Sequence, residues 1–361
     1  MPSTLFIRAD ASVSIGTGHI MRMIALGQAW QAQGGEVRFI CAENTSAPEE
    51  RLASEGFHLS RNSAILGNRK DPLSNFNMRL FSGLLNNNSL TRWVKNQRNA
   101  YINDRFKKQA ADRIVLPPDW IPENRRAVVF SIAFNKTVCV DLMIESWKLH
   151  AQNTDLVIVD NSSKPQAREE IEALCLRSNV PYIGLPKNPE WNQNRSHALG
   201  LNWVYYNLVL KWKPEFFGFL DHDCFPFAAF DLNETMGDFS IWGNKRYPKI
   251  RKFNQWNLWA GFCFYRFSRV ENLKINFTHS IELRLDTGGS NWSALYANIQ
   301  PHEYKSAEIT AVLETELFAQ MSMIFDNRFL HVGGASYRSK TFDKNGLMHA
   351  LEEISHQTKT P

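Results

Sequence analysis

The residues best suited to chemistry are Asp221 and Asp223, in the stretch FLDHDCFP at 219 to 226, where an apolar run ends in two carboxylates one residue apart. Carboxylate oxygens are hard ligands that suit Mg²⁺ or Mn²⁺. A turn starting at His222 would let both reach one cation, and that cation would neutralise a diphosphate and act as a Lewis acid on a leaving group. The alternative is structural: Asp221 caps a turn and Asp223 is solvated. Among 15 aspartates such a spacing also arises by chance, so the surrounding elements must decide.

Those elements begin again at Ala127. VVFSIAF, DLVIVDN, PYIGLPKN and FFGFLDHD read as apolar strands, separated by the amphipathic patterns VCVDLMIESWKLH, PQAREEIEALCLRS and NRSHALGLNWVYYNLVLKW. Apolar strands alternating with amphipathic helices predict a doubly wound, mostly parallel sheet covered on both faces. Ligands of such sheets bind beyond the carboxyl ends of the strands. Asp160 and the Asp221/Asp223 pair both stand at such ends. Beyond residue 230 the sequence turns aromatic, with FNQWNLWAGFCFYRF, LDTGGSNW and FLHVGG.

The combination of VVFSIAF, LVIVDNSS, LPKNPEWNQNRSHALGLNWV, FFGFLDHD, NLWAGFCFYRF, LDTGGSNW and FLHVGG, over about 127 to 335, resembles the family-2-like glycosyltransferases of the GT-A fold. The resemblance implies a metal-dependent, inverting transfer of a sugar from a nucleotide sugar to a saccharide or lipid-linked acceptor, in surface-glycan assembly. Asp160 would contact the nucleoside base or ribose. Asn188, Arg195, Asp221, Trp259 and Gly261 would line the nucleotide-sugar site. Asp221, Asp223 and His331 would hold Mn²⁺ or Mg²⁺, although a histidine satisfied by backbone at a strand turn is the plain reading of His331. Asp286 is the candidate catalytic base. The family's usual acidic pair is here Leu-Asp followed by glycines, so a turn role for Asp286 stays open. Trp256, Trp259 and Trp292 offer faces for sugar rings, against the commoner fate of core packing.

Ahead of this region, TLFIRAD, IMRMIALGQAWQAQ, EVRFICAE and PEERLASEG predict a small βαβα half-domain over residues 1 to 62. IRADASVSIGTGHIMR resembles the start of the UDP-sugar hydrolases of the pseudaminic-acid pathway, in which His19 would be the water-activating base and Gly16 and Gly18 would allow close backbone approach. That implies a second reading, a UDP-sugar hydrolase. A third is a non-catalytic module that binds saccharides or nucleotide sugars. Residues 63 to 125, Asn-rich at first and then helical from about 90 to 110, read as a linker and helical segment. The transferase domain then spans 126 to 340, with a tail over 341 to 361.

Composition bounds the rest. The chain has 361 residues, of which 43% are hydrophobic, enough for a real core. A net charge of +5 is too mild to argue for nucleic acid as a partner. The basic clusters at 92 to 109 and 244 to 252 read as solvated faces or as attraction to phosphates or an anionic membrane. Five cysteines without a CxxC pair suggest neither disulfides nor a thiolate zinc site. With no signal-peptide pattern at MPSTLFIRAD and no apolar run of spanning length, the expected location is the cytoplasm, with peripheral association at the inner face of the membrane compatible with a lipid-linked acceptor.

Overall fold

The computed structural model describes residues 4–8, 18–41, 52–61, 89–190, 192–248, 254–313 and 322–332, together with Gly346, His349 and Leu351. Gly16, the expected linker at 63 to 88, the first four residues of the expected helix at 48 to 56 and nearly all of the tail lie outside the described residues. The chain forms two compact units, residues 1–102 and 103–361. The boundary falls within the helix Ser89–Phe106.

In the first unit, β1 (Thr4–Arg8), the helix Gly18–Gln31, β2 (Glu36–Cys41) and β3 (His58–Arg61) give a three-stranded parallel sheet in the order β1-β2-β3. Its core holds Ile7, Ile24, Val37, Phe39, Leu52 and Phe57. The expected pattern is βαβα, and the third strand is the difference. HLSR is short and only one of its four residues is aliphatic, so pairing with β2 rather than local pattern makes it a strand.

The second unit is built on an eight-stranded sheet. Its strands in chain order are β4 (Arg113–Val115), β5 (Ala127–Ala133), β7 (Asp155–Asp160), β8 (Tyr182–Gly184), β9 (Phe216–Asp221), β12 (Ile241–Arg246), β13 (Asn257–Arg266) and β14 (Tyr304–Ser306). Two short strands, β6 (Ala151–Gln152) and β11 (Phe230–Asp231), pair separately. A four-stranded antiparallel sheet comprises β10 (Cys224–Pro226), β15 (Ile309–Leu313), β16 (Ser322–Phe325) and β17 (Phe329–His331), ordered β10-β17-β16-β15.

The large sheet runs β14-β12-β13-β9-β5-β7-β8-β4. Its centre, β9-β5-β7-β8, is parallel, whereas β13 pairs antiparallel with both β9 and β12, and β4 is antiparallel to β8. The α/β fold is therefore as expected, with a mixed sheet that is mostly parallel. Strand order reverses between β5 and β9. In open α/β sheets this reversal leaves a crevice at the carboxyl ends, because the following connections leave toward opposite faces.

Alternation along β9 shows how both faces are filled. Phe216 and Leu220 join the large core with Ala127, Val129 and Ala133 of β5, under the helices Thr137–His150 and Pro165–Ser178. Phe217 and Phe219 point the other way and meet Tyr205 and Phe277 at ring-centroid distances of 6.0 Å and 5.0 Å. The helix Thr137–His150 buries Val140, Met143, Ile144 and Trp147, the 3.6-residue stripe that a sheet-covering helix requires. Pro165 opens the next helix and Asn179 closes it in the left-handed region, at φ 58°.

The expected single helix at 194 to 212 is interrupted. After Gln193–Val204 comes a π turn, Tyr205–Val209, before Leu210–Trp212. Tyr205 and Tyr206 donate through their hydroxyls to the carbonyls of Val270, at 2.8 Å, and Ile275, at 2.7 Å. These tertiary bonds accompany the wider turn, and nothing in the local pattern announces them. Among the described residues no helix is long and apolar enough to cross a membrane.

Candidate metal centre

Asp221 is the last residue of β9 and lies in register with Ile132 of β5, so it stands at the reversal of strand order. The chain turns at His222 and Asp223 and re-enters as β10, where Cys224 pairs with His331 at the end of β17. The backbone N–H of Val332 donates to the Asp223 carbonyl at 2.8 Å. Asp221 thus comes from the large sheet, while Asp223 and His331 are brought together by the small one. His222 points inward and donates from Nδ1 to the Ile132 carbonyl at 3.1 Å. Burial pulls its pKa down to about 4, which keeps the ring neutral and fastens the turn to β5.

One ligand atom from each of Asp221, Asp223 and His331 falls within 4.8 Å of the others. His331 Nε2 is 3.6 Å from Asp223 Oδ1. Asp223 and His331 are 6% and 7% exposed, and Asp221 is half-buried, so the group opens toward solvent on the Asp221 side. Two carboxylates and an imidazole suit Mn²⁺ or Mg²⁺. The backbone leaves room for them: a Cβ on Gly261 would intrude on Asp221 Oδ2 and on the ring of Trp259. The residues therefore fit a divalent cation. The nearby thiols of Cys139 and Cys224 are held neutral, their pKa values raised by burial first and by the Asp223 charge second.

A second histidine, His197, is absent from the expected site residues yet stands beside the group. Its Nε2 lies 3.6 Å from Asp221 Oδ1. It sits in the helix Gln193–Val204, whose first turn is capped by Asn192 Oδ1 accepting from the Arg195 N–H at 3.1 Å. The signal lay in NRSHALG, where a histidine enters an apolar helical face, but only the β9 neighbour gives it meaning.

The expected nucleotide-side residues divide. Asp160 is 0% exposed, and its carboxylate accepts from the Ser162 N–H at 2.8 Å and the Tyr182 hydroxyl at 2.9 Å, with Arg168 Nε 3.8 Å away. The carboxylate thereby fastens the ends of β7 and β8. Arg195 is likewise engaged, in a two-point pair with Glu190 at 3.1 Å for each contact. Asn188 donates to Asn161 Oδ1 at 2.9 Å, and Asn161 to Ser196 Oγ at 3.0 Å, forming an amide ladder beside the strand ends. Asn135, at φ 55°, accepts from the N–H groups of Ser163 and Lys164 at 3.0 Å each, tying the β5 loop to the β7 loop.

Trp259 is half-buried beside the metal group, its ring 4.6 Å from that of His331 and 5.7 Å from that of Phe325. The Arg246 guanidinium lies over it at 5.3 Å. Trp259 therefore contacts both His331 and Arg246. Trp256 is 9% exposed and packs against Tyr296 and Tyr304, with Lys245 over its ring at 4.1 Å, so it belongs to the core. Trp292 meets its edge, at 6.3 Å. Asp286 is exposed and its charge acts on Arg246 and His279. One of its oxygens accepts from the Thr287 N–H at 2.8 Å, a turn contact that leaves the carboxylate at the surface. Gly18 and His19 open the helix Gly18–Gln31, and the His19 side chain lies outside what the structure describes.

No family model matches the sequence, and no curated protein matches it by sequence. Solved structures do resemble the fold. An active-site mutant of LgtC, a galactosyltransferase, shares 10% identity at a TM-score of 0.39, over 65% of this chain and 97% of that one. The mannosyltransferase PcManGT from Pyrobaculum calidifontis, in complex with GDP-Man and Mn²⁺, shares 12% at 0.32, over 64% of this chain and 70% of that one. WbbM, a bifunctional glycosyltransferase, shares 15% at 0.30, over 42% of this chain and 33% of that one, so the likeness spans only a third of WbbM. The hydrolase resemblance of the N-terminal residues finds no support in these comparisons. At such identities the likeness concerns the α/β fold alone.

Proposed function

We propose that the chain is a metal-dependent glycosyltransferase that moves a sugar from a nucleotide sugar to a saccharide or lipid-linked acceptor with inversion. The observation that carries this reading is the convergence of Asp221, Asp223 and His331 at the reversal of strand order. A divalent cation bound there would supply positive charge against a diphosphate leaving group. The chain's own residues do the rest. Asn188 and Asn161, bonded to each other and to Ser196, brace the loops that follow β7 and β8 beside the metal group. Asp286, an exposed side chain, takes the proton of the acceptor hydroxyl as the hydroxyl oxygen bonds to the anomeric carbon. The bond from that carbon to the diphosphate breaks, and its electron pair leaves with the diphosphate.

The test is Asp223→Asn, assayed by release of nucleoside diphosphate from UDP-, GDP- and dTDP-sugars with Mn²⁺ and a panel of acceptors. Asparagine keeps the volume at a buried position but removes the charge. Turnover should fall on the order of a thousandfold, the scale of losing several kcal/mol of charge stabilisation. Mn²⁺ should raise the melting temperature of the wild type and not of the variant, because only a binding native state gains stability by mass action. Full activity in a folded Asp223→Asn variant would overturn the proposal.

A further inference from the structure

Arg246 is a cation that the site described so far does not use. It ends β12, paired with Asn257 at the start of β13, and its side chain is partly buried. Among the described residues it makes no ion pair, and its guanidinium is held by the face of Trp259, at 5.3 Å. Burial pulls its pKa down, and the charge of Asp286 partly offsets this, so a carboxylate stands near without pairing with it. A half-desolvated guanidinium costs solvation energy that, among the described residues, only the Trp259 face and the more distant Asp286 charge offset.

Its position gives the missing partner a place. The Trp259 ring contacts both Arg246, at 5.3 Å, and His331, at 4.6 Å. The guanidinium and the metal group therefore share one indole as neighbour, and the charge of Asp286, the candidate base, acts on the same guanidinium. An acceptor whose hydroxyl reaches Asp286 has its remaining substituents beside Arg246. Guanidinium presents a planar fork of donors that matches a carboxylate or phosphate in two-point geometry.

We propose that Arg246 is a specificity-determining residue that selects an acceptor sugar carrying an oxyanion, either carboxylate or phosphate. This rests on the glycosyltransferase reading of the neighbouring metal group. Trp259 positions the guanidinium through its ring face, and the neutral hydroxyls of an unsubstituted sugar would leave that cation without a counter-charge. The basic stretch NKRYPKIRK thus contains one residue with a recognition role.

The experiment measures binding to the full-length protein in the presence of Mn²⁺ by tryptophan fluorescence and calorimetry. The probes are UDP and GDP for the donor side, and methyl glucuronide, glucose 6-phosphate and methyl glucoside for the acceptor side. The wild type should bind one of the anionic sugars about tenfold or more tighter than the glucoside, the scale of one charge-assisted hydrogen-bonded pair. Arg246→Gln should abolish that ratio and leave nucleotide affinity unchanged, and Arg246→Lys should restore part of it. An unchanged ratio in Arg246→Gln, or no anion preference in the wild type, overturns the proposal. So does a loss confined to UDP or GDP, which would place Arg246 on the donor diphosphate instead. Wild-type nucleotide binding separates the two layers: without it the reading of the metal group fails, whereas with it and no anion preference only the role of Arg246 fails.

Discussion

Gly261 shows how much of the metal centre depends on a single missing side chain. Its Cβ would sit against Asp221 Oδ2 and the Trp259 ring, two groups already fixed by β9 and by the His331 contact. Gly261→Ala should therefore push the Asp221 carboxylate aside and weaken Mn²⁺ binding by about tenfold or more, the range seen when the support of a metal ligand is disturbed. A Mn²⁺ titration followed by electron paramagnetic resonance would measure it; unchanged affinity would mean that Asp221 is not a ligand. At this scale the sequence was informative where residue type and strand end coincided, as for Asp221 and Asp223. It was silent on tertiary partners. Asp160 occupies an equally suggestive strand end, and its bond from the Tyr182 hydroxyl joins residues that spacing does not connect. Arg246 was hidden in the same way, since a run of basic residues does not say which member packs on Trp259.

Among the elements, β9 carries the burden of placing the site, and Gly218 explains how it fits between its neighbours. Phe264 of β13 lies directly across from Gly218, and its ring occupies the space that a side chain there would take. That ring also stacks on Trp242 of β12, at a centroid distance of 4.4 Å. Gly218→Ala must displace a ring that is fully buried, and overpacking of this kind costs about 1–3 kcal/mol. Since Asp221 follows three residues later on the same strand, the variant should lose stability in urea and Mn²⁺ affinity together; loss of neither would show that β9 tolerates the shift. The parallel strands β5, β7 and β9 were legible because each is a compact apolar run flanked by amphipathic helices. The antiparallel strands from β12 onward were not. Their aromatic residues are buried on both faces, so alternation vanishes, and the pairing of β10 with β17 joins segments far apart in the chain. That pairing delivers His331 to Asp223, which is why a family resemblance could name this ligand while local pattern could not.

At the scale of the whole molecule, the two units differ in how much apolar surface each encloses. Among the described residues, the first rests on six buried apolar side chains around a three-stranded sheet. The second encloses a core that includes β5, β7, β9, β13, β16 and β17 and the helices Thr137–His150 and Pro165–Ser178. Small cores bury a smaller fraction of their surface and open at lower free energy, because each ordered residue costs conformational entropy that few contacts offset. Amides of β2, although paired on both sides by β1 and β3, should therefore exchange through subglobal openings, while those of β5 should exchange only when the second unit unfolds. Hydrogen exchange read by mass spectrometry on peptides covering 36–41 and 127–133 distinguishes the two. Protection of β2 should fall short of β5 by a factor on the order of a hundred, corresponding to roughly 3 kcal/mol. Equal protection would mean that both units unfold in one cooperative step. The large unit would keep its strand ends, and with them Asp221, Asp223 and His331, through the openings of the small one, so metal affinity should persist under mild denaturant that already exposes β2.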